Sequence, residues 1–208
     1  MKVTTSTLQK MRQENDRITM LTCTDASFAA LLDAAGVDTF LVGDSLAMTV
    51  QGHDSTLPVT MEEMIYHTRI VARRTQRALV IGDMPFGSYQ KSPEQAFDNA
   101  ARLMSAGAHM VKLEGGEIMA PQVEFLASRG IPVCGHIGLT PQSVHALGGW
   151  KIQGKTDDAA QRLVSAARAL ENAGASMMVV ELVPVAVGRA VTDALNIPVM
   201  GIGAGPHC

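Results

Sequence analysis

Short apolar runs alternate with longer amphipathic stretches along the whole chain. Seven runs read as strands: Thr19–Cys23, Thr39–Gly43, Leu79–Gly82, Met110–Glu114, Pro132–Gly135, Met177–Leu182 and Pro198–Ile202. They are continuously apolar rather than alternating, as parallel strands covered by helices are. The stretches between them predict six helices, Asp25–Ala35, Met61–Arg74, Pro93–Ala106, Glu117–Ser128, Asp157–Ala173 and Pro184–Leu195. The segment SPEQAFDNAARLMSAG has the clearest ends. Ser92 suits the N-cap, Pro93 the first turn and Gly107 the position just past the helix.

The unit repeats. AGAHMVKLE (Ala106–Glu114) and AGASMMVVE (Ala173–Glu181) align without a gap, and AGVDTFLVGD (Ala35–Asp44) follows the same plan with one more residue. Each is a helix stop, a strand and an acid. Repetition of one αβ unit predicts a (β/α)8 TIM barrel. A doubly wound open sheet is the competing fold, weakened because no G-x-G-x-x-G follows the first strand. Seven strands are one short of a barrel, and 208 residues fall below the usual ~250. The expectation is therefore a single barrel domain over residues 1–208, incomplete at its C-terminus. The eighth strand would be missing, and strands one and seven would have bare edges.

The acids carry the candidate chemistry. FLVGD ends at Asp44, LVIGD at Asp83, MVKLE at Glu114 and MMVVE at Glu181. Parallel barrels place their active sites at the C-terminal ends of their strands, so these four carboxylates would converge on one mouth. Mg²⁺ usually takes only one or two carboxylates directly, which leaves at least one acid for proton transfer. Glu181, flanked by Met178, Val179, Val180 and Val183, sits where an apolar setting would favour a general base. A structural Glu paired with Lys112 is the equal alternative. Lys112 shares a strand face with Glu114 and either orients an anionic substrate or neutralises that acid. Asp44 and Asp83 could each be a helix cap. His136, after the fifth strand, could bond a substrate oxygen or be a satisfied loop residue. His53 reads as structural. The final GIGAG could cradle a phosphate, on weak evidence.

Composition narrows the function classes. A net charge of −3 leaves no basic footprint for nucleic acid. No apolar run reaches membrane-spanning length, and MKVTTSTLQKMRQEN lacks the apolar core of a signal peptide. Cys23, Cys134 and Cys208 are odd in number and unclustered, against a disulfide framework or a zinc site. The expected compartment is the cytoplasm.

Three strings, LVGDSLAMTVQGHDSTLPVT, MVKLEGGE and PVCGHIGLTPQSVHALGGWKIQG, together resemble the ketopantoate hydroxymethyltransferase family. The resemblance runs from about Thr5 through Gly205, and Pro206-His207-Cys208 are read as departing from it. Thr24 stands where the family commonly has an aromatic, and Trp150 where Tyr or Phe is usual. The resemblance implies a barrel of the phosphoenolpyruvate mutase/isocitrate lyase type and hydroxymethyl transfer from 5,10-methylenetetrahydrofolate to 3-methyl-2-oxobutanoate. It implies Mg²⁺ held by Asp44, Asp83 and Glu114. It further implies an oxo acid contacted by Asp44, Ser45, Asp83 and Lys112 with His136 nearby, and Glu181 as proton acceptor. A homo-oligomer of ten subunits is implied as well. Two other readings remain: a related lyase or mutase acting on another 2-oxo acid, and a shortened, catalytically impaired or non-catalytic partner subunit.

Overall fold

The chain is described over residues 2–208 by a computed structural model. Its elements, in order, are α1 (Thr5–Glu14), β1 (Met20–Thr22), α2 (Ala26–Ala34), β2 (Thr39–Val42), α3 (Leu46–Thr49), α4 (Met61–Ala72), β3 (Leu79–Asp83), α5 (Pro93–Ser105), β4 (Met110–Glu114), α6 (Ala120–Ala127), β5 (Val133–Gly138), α7 (Asp157–Asn172), β6 (Met177–Glu181), α8 (Val185–Ala194) and β7 (Val199–Ile202). The strands pair in sequence order, β1 to β7, and every pair is parallel. The result is a nearly closed barrel in which β1 and β7 do not pair with each other. A cavity of 510 Å³, lined in part by Met20, Val199 and Met200, lies between those two strands. Arg17 Nη1 donates to the carbonyls of Pro206 (3.2 Å) and Cys208 (3.1 Å) and tethers the last residues beside the cavity.

Two apolar layers follow from the strand period of two. Leu41, Leu79, Ile81, Met110, Cys134, Met177 and Val179 fill the barrel interior. Phe40, Val42, Val80, Val111, Leu113, Val133, Met178 and Val180 face outward and pack under the helices. Both faces of each central strand are thus buried, which is why the runs are continuously apolar. The ends of α5 match the sequence: Ser92 accepts from the Gln95 amide and Pro93 sits in the first turn.

Three features differ from the sequence reading. The short helix α3, directly after Asp44, is not among the six predicted helices. Helix α1 was not expected, because its sequence is polar and shows no apolar stripe. It is started by a capping box between Thr4 and Thr7 and buries Leu8 against the interior layer. Arg12 Nη2 then donates to the carbonyls of Thr192 (2.9 Å) and Leu195 (3.2 Å), so α1 is tied to the end of α8 across the opening between β1 and β7. Strand β5 runs three residues further than predicted, through His136 to Gly138, because it pairs with β6 over that stretch.

Asp38 fixes the register at the start of the sheet. Its Oδ2 accepts from the Thr19 amide (2.9 Å) and hydroxyl (2.8 Å), and Arg77 lies 2.6 Å from its Oδ1. Burial opposes its charge, yet the Thr19 and Arg77 bonds outweigh it and hold the carboxyl below the usual range. A lowered folded pKa stabilises the fold above the unfolded value of ~3.9, and that contribution is lost as pH falls through the folded value. Asp38→Asn should therefore cost about 1–3 kcal/mol at neutral pH, toward the lower end because Arg77 is partly exposed. The deficit should shrink in acid. Denaturant midpoints at neutral and acid pH check this; a deficit independent of pH contradicts it.

Candidate active site

The inward-facing column of each central strand changes character from bottom to top. In β3 it reads Leu79, Ile81, Asp83. In β4 it reads Met110, Lys112, Glu114. In β5 it reads Cys134, His136, and in β6 Met177, Val179, Glu181. Each begins apolar in the barrel floor and ends polar at the C-terminal mouth. The parallel register places Asp83 beside Lys112 and Glu114 beside His136. Asp44 joins them from the turn after β2, where its amide donates to Asp83 Oδ2 at 3.0 Å.

These groups contact one another directly. Lys112 Nζ lies 2.5 Å from Asp83 Oδ1, with both side chains almost fully buried. His136 is equally buried, and its Nδ1 is 3.4 Å from Glu114 Oε1 and 3.4 Å from Lys112 Nζ. Its other nitrogen, Nε2, is 3.2 Å from Glu181 Oε2. Glu181 is the most open member of the set, 18% exposed. The backbone beneath it is tightly constrained. A Cβ on Gly138 would lie 2.2 Å from the Glu181 carbonyl oxygen, so only glycine fits there, at φ +91°. The residue after Glu181, Leu182, is left-handed at φ +47°. That costs a non-glycine residue of order 1–3 kcal/mol, a strain of the kind stored at functional sites.

Electrostatics follow from packing three carboxylates against one lysine and one histidine out of water. Burial and the neighbouring Asp83 charge push Asp44 up to about 7, against the pull of Lys112. Burial raises Asp83 too, with Lys112 opposing. Burial also disfavours the charge on Glu114, but His136 and Lys112 outweigh it and hold that carboxyl low. Burial works against charge on Lys112 as well; Asp83, Glu114 and Asp44 nonetheless keep its proton on far above the ordinary lysine range. His136 is raised despite burial and Lys112, because Glu114 and Glu181 both contact its ring.

The geometry decides several readings the sequence left open. Lys112 pairs with Asp83 rather than neutralising Glu114 alone. Neither Asp44 nor Asp83 caps a helix; Asp44 accepts from Gln142 and Asp83 from the Asp44 amide. Glu181 does not sit in an apolar pocket, since its partner is His136. His136 is a strand residue in the cluster, whereas His53 is an exposed loop residue outside it. Ser45 follows Asp44 and begins α3, and among the described residues its hydroxyl makes no hydrogen bond within the cluster. Sequence reasoning missed Gln142 and Tyr89. Gln142 is an ordinary polar residue in a turn and Tyr89 an ordinary loop aromatic, so nothing in the residue types marked them.

The cluster's donors are hard oxygens. Asp83 Oδ1 and Glu114 Oε1 are buried and make no hydrogen bond of good geometry. Among the described residues no three His, Cys, Asp or Glu side chains close a ready-made metal cage. An open, oxygen-only set suits Mg²⁺, which keeps several waters or substrate oxygens in its shell.

The sequence profile described as ketopantoate hydroxymethyltransferase matches residues 2–208. The chain belongs to that family. A relative named 3-methyl-2-oxobutanoate hydroxymethyltransferase, from Thiobacillus denitrificans, is 61% identical over 208 residues, covering 100% of this chain and 79% of the relative. The similarity thus runs through Cys208, and the expected departure of Pro206-His207-Cys208 from the family is corrected. Among solved structures, 2,3-dimethylmalate lyase, a PEP mutase/isocitrate lyase superfamily member, superposes with a TM-score of 0.65 at 16% identity, over 96% of this chain and 72% of that one. Phosphonopyruvate hydrolase in complex with oxalate and Mg++ superposes with a TM-score of 0.67 at 15% identity, over 97% of this chain and 81% of that one. At those identities the likeness establishes the fold alone, a parallel β/α TIM-type barrel. The family is one of enzymes, the hydroxymethyltransferases of ketopantoate synthesis. Among the described residues no helix is long and apolar enough to cross a membrane.

Proposed function

We propose that this chain transfers a hydroxymethyl group from 5,10-methylenetetrahydrofolate to 3-methyl-2-oxobutanoate, giving ketopantoate, with Mg²⁺ held at Asp44, Asp83 and Glu114. The observation that carries the reading is the line Glu181–His136–Glu114 beside the Asp83–Lys112 pair, all at one barrel mouth. Family membership supplies the substrates. The fold neighbour with oxalate and Mg++ lends the oxygen-rich cluster a parallel. The family resemblance further suggests a cytoplasmic homo-oligomer, of ten subunits.

When bound, the cation would supply Lewis-acid polarisation of the keto group. The chain's own residues do the rest. Lys112 puts a fixed positive charge in a dry site, where it attracts the substrate's carboxylate and the negative charge that develops on its keto oxygen. Asp83 holds that ammonium in place. Ser45 lies next to Asp44 and would add a hydroxyl to the oxo acid. Glu181, the most open carboxylate, takes the proton from C3. Water releases the methylene carbon from the folate, both C–N bonds breaking and both water protons passing to the folate nitrogens. C3 attacks that carbon, forming the C–C bond, and the oxygen left on it takes back the proton held by Glu181 to become the hydroxyl. His136 bridges Glu181 to Glu114 and keeps the base oriented.

The test isolates the first half of the reaction. Incubated in heavy water with Mg²⁺ and no folate, 3-methyl-2-oxobutanoate should exchange its C3 hydrogen for deuterium. Exchange should require the metal. A folded chain that exchanges nothing under these conditions overturns the proposal.

A further inference from the structure

We infer that Gln142 is a positioning residue that presets Asp44 and Glu114 for a divalent cation. The inference rests on the cation reading of this site given above. Gln142 lies in the short 3-10 turn Pro141–Ser143 that follows β5 and is 4% exposed. Its side-chain Nε2 donates to Asp44 Oδ2 (2.8 Å) and to the Met84 carbonyl (2.9 Å). Its main-chain N–H donates to Glu114 Oε2 (2.9 Å). One residue therefore grips two candidate ligands that arrive on different, non-adjacent strands, β2 and β4.

The amide is fully engaged. Its Oε1 accepts from the Tyr89 hydroxyl (2.7 Å) and from Gln90 Nε2 (3.2 Å). Two donors and two acceptor sites are all that a glutamine side chain has. The orientation is also determined. The Met84 carbonyl can only accept, and so can Asp44 in its ionised form, so a flipped amide would face two oxygens with an oxygen. Tyr89, wholly buried, completes the clamp by accepting from the Glu114 amide at 3.0 Å.

The consequence for the ligands is selective. Oδ2 of Asp44 and Oε2 of Glu114 are held by Gln142, while Glu114 Oε1 has only the 3.4 Å approach of His136 Nδ1, without good hydrogen-bond geometry, and, among the described residues, no hydrogen bond reaches Asp44 Oδ1. Each carboxylate is fixed by one oxygen and offers the other. Two buried carboxylates left free would rotate apart under mutual repulsion, and a cation would have to order them on binding. A neutral amide is suited to the task. It donates hydrogen bonds without adding a positive charge that would compete with the metal, as an arginine or lysine would. Partners that orient ligands in this way typically set 10–100-fold of metal affinity.

The experiment is a titration of the metal-free protein with Mn²⁺ alone, free Mn²⁺ being read by electron paramagnetic resonance. Gln142→Met keeps the length and loses both side-chain donors. It should weaken Mn²⁺ binding about 10–100-fold. In steady state it should raise the metal concentration needed for half-maximal exchange while kcat at saturating metal changes far less; a merely structural lesion would lower kcat and leave that split absent. Tyr89→Phe, a gentler change, should weaken binding several-fold and carries the test if Gln142→Met does not fold. Parent-like Mn²⁺ affinity in a folded variant overturns the role of Gln142. A parent chain that binds no Mn²⁺ overturns the cation reading itself, and this inference with it.

Discussion

Glu181→Gln should lose deuterium exchange at C3 of 3-methyl-2-oxobutanoate by about 10²–10⁴-fold, the usual contribution of a positioned base. The substitution is chosen because it is nearly isosteric. The amide can still contact His136 Nε2, which lies 3.2 Å from the carboxylate oxygen, so the ring has no reason to turn. What disappears is the ability to take a proton. Glu181 touches neither Lys112 nor Asp83, so the buried pair at 2.5 Å should survive. Binding of the oxo acid and of Mn²⁺ should then stay within a few-fold of the parent. That separation of binding from exchange distinguishes the base from a structural Glu, the alternative that the sequence alone left equally open. Exchange in the folded variant within about threefold of the parent would exclude Glu181 from the role, since no base worth 10²-fold could be lost so cheaply.

The legible part of this protein was the part written in period and position. Continuous apolar runs gave strands buried on both faces, and an acid at the end of four of them gave the mouth of the barrel. The columns Leu79–Ile81–Asp83 and Met110–Lys112–Glu114 show why this worked. In a strand, every second residue faces inward, so the residue at a strand end inherits the direction of the apolar residues before it. Helix α1 was illegible for a related reason. It buries Leu8 as its single fully buried side chain, and one apolar residue makes no period. Strand β5 was read too short because Gly135 and Gly138 look like punctuation, whereas Gly135 lies tight against Leu170 and Met178 within the strand and Gly138 is required by its approach to the Glu181 carbonyl. Gln142 and Tyr89 were illegible in a stronger sense. Their importance lies in hydrogen bonds spanning up to 98 positions in sequence, and a lone glutamine carries no mark of what it will meet.

Lys112→Met should be the most damaging single change to the fold within the cluster, costing about 3–5 kcal/mol, as removal of one partner of a buried ion pair does. The side chains of Lys112 and Asp83 are 4% and 3% exposed, so water cannot replace the lost partner. Burial already makes Asp44 and Asp83 resist ionisation even with the ammonium present, with the Asp83 charge adding to the effect at Asp44 and the Glu114 charge at Asp83. Methionine fills much the same volume, so the loss reports charge rather than a cavity. The same reasoning gives a second, opposite effect. The ammonium and a divalent cation draw on the same carboxylates, so its removal should make the site a better cation binder. A ligand that binds only the native state raises stability by mass action. Mg²⁺ should therefore raise the melting temperature of Lys112→Met by more than it raises that of the parent, although the oxo acid should bind the variant more weakly. Thermal unfolding of both proteins across a Mg²⁺ series reads both effects. If the variant is destabilised and Mg²⁺ lifts it no more than the parent, then Lys112 and the metal do not share ligands, and Asp83 in particular is not one of them.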